Sequence, residues 1–149
     1  MFFGDPYKFA IQCDIIPEWN DDYFWVNGVF NIYIDGESVF SELYTSELKF
    51  TLANITEDIL NDIVLVNDNF SLDNDFIQKN NLLPISSPEM EDNAIFVYVF
   101  FSKKNDHIFF SKEGKELYFE YEKGYVRNIL YSLLKWKKEM NYLDKFKSN

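Results

Sequence analysis

Twenty-five Asp and Glu residues against 14 Lys and Arg give this 149-residue chain a net charge of −11, so carboxylates are its main chemical resource. Two acids whose environments drive their pKa values apart can share acid and base work. Asp21/Asp22, Glu57/Asp58 and Glu91/Asp92 are adjacent pairs, but acids this plentiful read better as solvated surface. Nucleophilic catalysis needs a nucleophile held beside a base. The chain has one cysteine, Cys13, one histidine, His107, and no Gly-x-Ser-x-Gly segment. Nor can one Cys and one His supply the clustered ligands of a zinc site. Asp68, Asp73 and Asp75 lie among asparagines in Asn67–Asp75, which lacks the glycine and terminal glutamate of a calcium loop. No catalytic residue, metal ligand or cofactor is assigned.

The carboxylates are unevenly placed. Residues 1–102 hold 18 against three lysines (Lys8, Lys49 and Lys79), and residues 103–149 hold seven against eleven bases. An acidic field repels nucleic acid, whose binding rests on neutralising phosphates. It draws in basic partners, raising association rates roughly 10- to 1000-fold. Lys135, Lys137, Lys138, Lys145 and Lys147, interleaved with Trp136, Tyr142 and Phe146, form a patch too modest to reverse that expectation. A lone cysteine permits no internal disulfide and suits a reducing cytosol. The first residues lack the basic and apolar segments of a signal peptide. The longest apolar run, Ala94–Phe101, falls well short of the ~18 residues of a membrane helix. The expectation is a cytoplasmic protein with neither nucleic acid nor membrane as partner.

Periodicity sets out the elements. Within Tyr23–Glu37, Phe30, Ile32 and Ile34 alternate with Asn31, Tyr33 and Asp35, and Asp35-Gly36 closes the run with a hairpin signal. This is the central strand, flanked by Lys8–Ile16 and by Glu37–Leu43. The loop Pro17–Asp22 carries Glu18, Trp19, Asp21 and Asp22. Spacing of Leu48, Leu52, Ile55 and Ile59 predicts a helix from about Ser46 to Val66, with a possible break near Asn54. Thr56 would cap the second half, whose buried stripe is Ile59, Leu60, Ile63 and Val66. Phe76–Leu83 reads as a short helix or irregular segment. Ala94–Phe101, His107–Ser111 and Glu116–Tyr121 read as strands, with His107 in a turn at a strand edge. Val126, Ile129, Leu130, Leu133, Trp136 and Met140 make Tyr125–Phe146 an amphipathic helix. Residues 1–149 thus form a single α+β domain, a largely antiparallel sheet of about five to six strands with two main helices packed on one face.

The first third of the chain also holds a specific set of residues. Gly4-Asp5 precedes Phe9-Ala10-Ile11, followed by Trp25, Gly28, Phe30 and Gly36, then by Thr45-Ser46 ahead of Leu48. In these positions the chain resembles the Immunity protein 42 family, immunity proteins of bacterial polymorphic toxin systems. The motif consists of turn glycines and strand aromatics and brings no catalytic residues with it. The resemblance implies a cytosolic protein, not an enzyme, that binds and neutralises a cognate toxin C-terminal domain, as in contact-dependent inhibition. The acidic front suits a basic toxin such as a nuclease. Carboxylates would steer the encounter and desolvated aromatics would hold the complex. Charge and loop position select Glu18, Asp21 and Asp22 beside Trp19, then Asp58, Asp62, Asp68, Asp73 and Asp75, as toxin contacts. Two other classes stay open: a small carboxylate-dependent enzyme, which needs a deep pocket, and an adaptor self-associating through a sheet edge.

Overall fold

The computed structural model describes residues 1–22, 24–40, 45–73 and 75–140. The early, strand-rich sequence forms β1 (Phe2–Asp5), β2 (Phe9–Ile15), β3 (Asn27–Ile34), β4 (Glu37–Ser38) and β5 (Thr45–Glu47). Short helices α1 (Leu48–Thr51), α2 (Glu57–Asn61) and α3 (Phe76–Asn80) follow. The chain continues through β6 (Leu83–Pro84), α4 (Pro88–Asp92), β7 (Ile95–Phe101), β8 (Asn105–Lys112), β9 (Lys115–Glu122) and α5 (Tyr125–Met140).

The fold is α+β with antiparallel sheets, as the sequence predicts, and its strands are divided between two of them. In the first, β3 is central: β1 and β2 lie to one side, while β4 and β5 share its other edge. The second has the order β6-β7-β8-β9. The division follows from the intervening sequence. Among the described residues between β5 and β7, only Leu83–Pro84 pairs as a strand, and Val66 makes an isolated parallel bridge to Ser102.

Register explains the burial. Cys13↔Phe30, Ile11↔Ile32 and Phe9↔Ile34 place six apolar residues on one face of the first sheet. Ile95, Val97, Val99 and Phe101 of β7 and Ile108 and Phe110 of β8 supply the facing surface. α5 completes this main core with Val126, Ile129, Leu130, Leu133, Leu134 and Met140. The opposite face of the second sheet carries a smaller core of Val66, Phe76, Leu82, Phe100 and Phe109, with Phe70 and Tyr118 packed against it. Two glycines of the early motif are dictated by geometry. At Gly28 a Cβ would stand 2.0 Å from the Asp14 carbonyl oxygen and 2.8 Å from Leu48 Cδ1. Asp35 and Gly36 form the predicted turn with φ of 56° and 86°.

The helix expected from Ser46 to Val66 is instead β5 and two separate short helices. Thr45–Glu47 pairs with Val29–Asn27 and so cannot be helical. Between α1 and α2 the Leu52 and Ile55 carbonyls turn outward to Lys137 Nζ, at 2.7 and 2.9 Å. Desolvation by that setting lowers the Lys137 pKa. Thr56 does cap α2, accepting the Ile59 N–H at 3.2 Å. Thus α5 is the one long helix among the described residues. Its predicted continuation through 141–146, with Tyr142, Lys145, Phe146 and Lys147 of the basic patch, lies outside them, as do 41–43 of the predicted hairpin return.

The start of α5 is set from elsewhere in the chain. Gly124 precedes it, a residue without a capping side chain. The carboxylate of Asp106, buried in β8, accepts the Arg127 N–H at 3.0 Å and fills that role. No helix among the described residues is long and apolar enough to cross a membrane.

Candidate partner-binding surface

Backbone polar groups must be satisfied where β2 ends and the chain returns as β3. Asn20 and Asn27 do this. Asn20 Nδ2 donates to the Ile16 and Asn27 carbonyls at 2.8 and 3.0 Å, and its Oδ1 accepts the Asn27 N–H at 2.7 Å. Asn27 Nδ2 donates to the Trp19 carbonyl at 3.1 Å. Asp22 Oδ1 accepts the Phe24 N–H at 2.9 Å. Glu47 pins the far end. Its Oε1 accepts the Val26 N–H at 2.9 Å and its Oε2 the Phe50 N–H at 2.6 Å, so one carboxylate both caps α1 and holds the loop beside it.

On this fixed backbone, packing-type residues stand in water. Phe24, Trp25 and Phe50 are 65%, 61% and 70% exposed, and Trp19 is 40% exposed. The Phe24 and Trp25 rings meet edge to face at 5.2 Å. Leaving apolar surface hydrated costs about 25 cal/mol per Å² relative to burying it, and contiguous patches of it mark interaction sites. Exposed Glu18, Asp21 and Asp22 are carried on the same loop. Aromatic anchors with a polar rim, preordered before contact, are the composition of an interface hot spot.

The predicted contacts rest on three separate supports. Glu18, Trp19, Asp21 and Asp22 are brought together on the β2–β3 loop. Asp58 lies in the first turn of α2 and Asp62 just beyond its end, both exposed. Asp68, Asp73 and Asp75 lie on the segment leading to α3. There Asp68 Oδ1 accepts the Lys104 N–H at 3.4 Å, and Asp73 Oδ1 accepts the Asp75 N–H at 3.1 Å. Charge and loop position do not single out Phe24, Trp25 and Phe50 as surface. The sequence places Phe24 and Trp25 within the run of the central strand, although clean alternation starts only at Phe30. Phe50 falls midway between the buried Leu48 and Leu52, the signal that places it outward.

His107 corrects another expectation. It lies inside β8 rather than in a turn, and it is 2% exposed. Its Nε2 is 2.7 Å from Ser102 Oγ and its Nδ1 2.5 Å from the Tyr118 hydroxyl, which donates to Glu120 Oε2 at 3.4 Å. The imidazole stacks on Phe100, 4.5 Å between centroids and 8° from parallel, while Phe70 meets it edge-on. Burial lowers the His107 pKa against the opposing pull of Glu120, Asp106 and Asp68. Burial first, then Glu120, pushes the Tyr118 hydroxyl up to about 12. A neutral imidazole with both nitrogens partnered holds a core together. Cys13 is likewise a core residue, its thiol pushed up to about 12 by burial.

Two antiparallel sheets and one long helix share the main core, and exposed aromatics stand on and beside the β2–β3 loop. Comparison with known proteins gives that architecture a family. The Immunity protein 42 model matches residues 1–136, and the chain belongs to that family. It is therefore an immunity protein, a class whose members neutralise toxins. The fold is similar to a crystal structure of CdiI from Burkholderia dolosa AUO158, with a TM-score of 0.64 and 15% sequence identity. That match covers 91% of this chain and 99% of the other. No curated protein matches the sequence significantly.

Proposed function

We propose that this protein is a cytosolic immunity protein of contact-dependent-inhibition type. It neutralises the C-terminal domain of its cognate toxin by direct binding rather than by catalysis. The observation that carries this reading is the set of exposed aromatics Trp19, Phe24 and Trp25 on the β2–β3 loop and Phe50 on α1, tied down by Asn20, Asn27 and Glu47. Family membership supplies the role, and the likeness in fold to a CdiI supports the type of system. The carboxylates Glu18, Asp21 and Asp22 favour a toxin with a basic surface, as on a nuclease. Asp58, Asp62, Asp68, Asp73 and Asp75 extend the acidic field over the same portion of the chain. Because the main core draws on both sheets and α5, we read residues 1–149 as one immunity domain.

The test is to purify the C-terminal domain of the protein encoded immediately upstream and titrate this protein into it by calorimetry. Growth is then followed on co-expression of the two. Nanomolar, one-to-one binding with rescue of growth is the expected result. Absence of both would sink the reading. In that case the self-association alternative gains weight from β9, an eight-residue strand at the outer edge of the second sheet.

A further inference from the structure

A second apolar feature lies uncovered beyond the aromatic loop. In the run Ile63-Val64-Leu65-Val66, Ile63 packs against the main core and Val66 belongs to the smaller one. Val64 and Leu65 are left in solvent, 81% and 47% exposed. The run is not loose, because the Val66 N–H is bound to the Phe101 carbonyl at 2.7 Å. Beside it a groove of about 350 Å³ opens between α2 and the approach to β6, walled by Ile59, Val64, Leu82 and Pro84, with Asn54 and Asp62 also lining it.

We infer that this groove is the second half of the toxin footprint, seating an apolar side chain of the same basic partner that covers the aromatic loop. The inference rests on the toxin-neutralising reading above. Distance supports it first. Asn54 in the groove lining is four residues from Phe50, and four residues of chain reach at most about 14 Å. The turn between them, Ala53 N–H to Phe50 carbonyl at 3.2 Å, shortens that reach. One side of a standard interface covers ~800 Å², roughly 28 Å across, which accommodates both features. Rigidity supports it next: Lys137 holds the Leu52 and Ile55 carbonyls of the connecting segment, so the spacing between the two features is set before contact. Charge selects the occupant. Exposed Asp58 and Asp62 continue the sign of Glu18, Asp21 and Asp22, while Glu57 is paired with Lys138 at 3.1 Å. The acidic portion of a second copy, residues 1–102 with 18 acids against three lysines, brings like charge to the groove, whereas a basic toxin surface brings the opposite.

The experiment is calorimetry against the same upstream-encoded C-terminal domain. It uses Val64→Lys, the double variant Ile59→Ala with Val64→Ala, and Tyr7→Ala as a control at an exposed aromatic elsewhere. Urea midpoints verify that each variant folds. Both groove variants should bind roughly tenfold or more weakly, while the control stays within about twofold. Wild-type affinity in the groove variants overturns the inference and leaves the toxin reading standing. Failure of the unaltered protein to bind overturns both. Self-association that Val64→Lys abolishes, with toxin binding unchanged, assigns the groove to a second copy and equally overturns the inference.

Discussion

The His107 cluster and the β2–β3 loop divide residue types between them in an unexpected way. Around His107, a serine, a histidine, a tyrosine and a glutamate stand in hydrogen-bonded series, the residue types of a proton relay. The imidazole is buried against Phe100 with both nitrogens partnered, and Ser102 is buried beside it. In the loop, tryptophan and phenylalanine stand in water while asparagines and a glutamate do the bracing. Residue type therefore does not announce role here. Access to solvent and completeness of hydrogen bonding are the better guides: satisfied polar groups hold structure, and uncovered apolar ones are candidates for a partner.

Substitutions can break that contrast, most severely in the core. Phe100→Ala removes the ring stacked on His107 and packed edge-on by Phe70 and Phe76. It should cost about 3–5 kcal/mol of stability, read from urea unfolding. A loss under about 1 kcal/mol would mean that the smaller core contributes little. Trp25→Ala should show the inverse profile. Its stability should stay within about 0.5 kcal/mol of wild type, while toxin affinity falls by about 2 kcal/mol, roughly 30-fold by calorimetry. Unchanged affinity would remove the loop from the interface.

Charge reversal at Asp21 and Asp22 sharpens the comparison on the loop side. Lysine at both should slow association with a basic toxin about tenfold and flatten its salt dependence. Stopped-flow traces at two salt concentrations decide it, and an unaltered on-rate would strike these acids from the steering patch. The smallest effect belongs to His107. Its folded-state pKa lies below the ordinary 6.5 because the ring is buried. Stability from the neutral form is therefore complete above about pH 6.5 and is lost as pH falls towards the folded value. Urea midpoints taken from pH 7 to 5 should fall more steeply for the wild type than for His107→Gln. Parallel slopes would mean that other groups carry the pH dependence.

What the sequence revealed and what it hid follow the same physics. Alternation in Phe30–Ile34, the Asp35-Gly36 turn, the Thr56 cap and the stripe on α5 are local signals, and each of those elements formed as read. The break between α1 and α2 was only half legible. Leu48, Leu52, Ile55 and Ile59 satisfy a helical period, and the competing claim on their carbonyls comes from Lys137, more than eighty residues away. The division into two sheets depends on pairings that no local window contains. Among the candidate contacts, charge and loop position select Glu18, Asp21 and Asp22, which the structure carries on one exposed loop. Charge is silent about Phe24 and Trp25, because an aromatic in a strand-like run looks the same whether it faces the core or the solvent.

The buried cap of α5 carries a kinetic consequence. Because Asp106 in β8 accepts the Arg127 N–H, the first turn of the helix has its partner only once the β7–β8 strands are in place. Helix initiation is costly in isolation, so α5 should consolidate after that hairpin rather than nucleate it. The two should also open together. Amide protons in the first turns of α5 and along β8 would then exchange with solvent at a common free energy, as one cooperative unit, although a turn, the whole of β9 and a second short turn separate them in the chain.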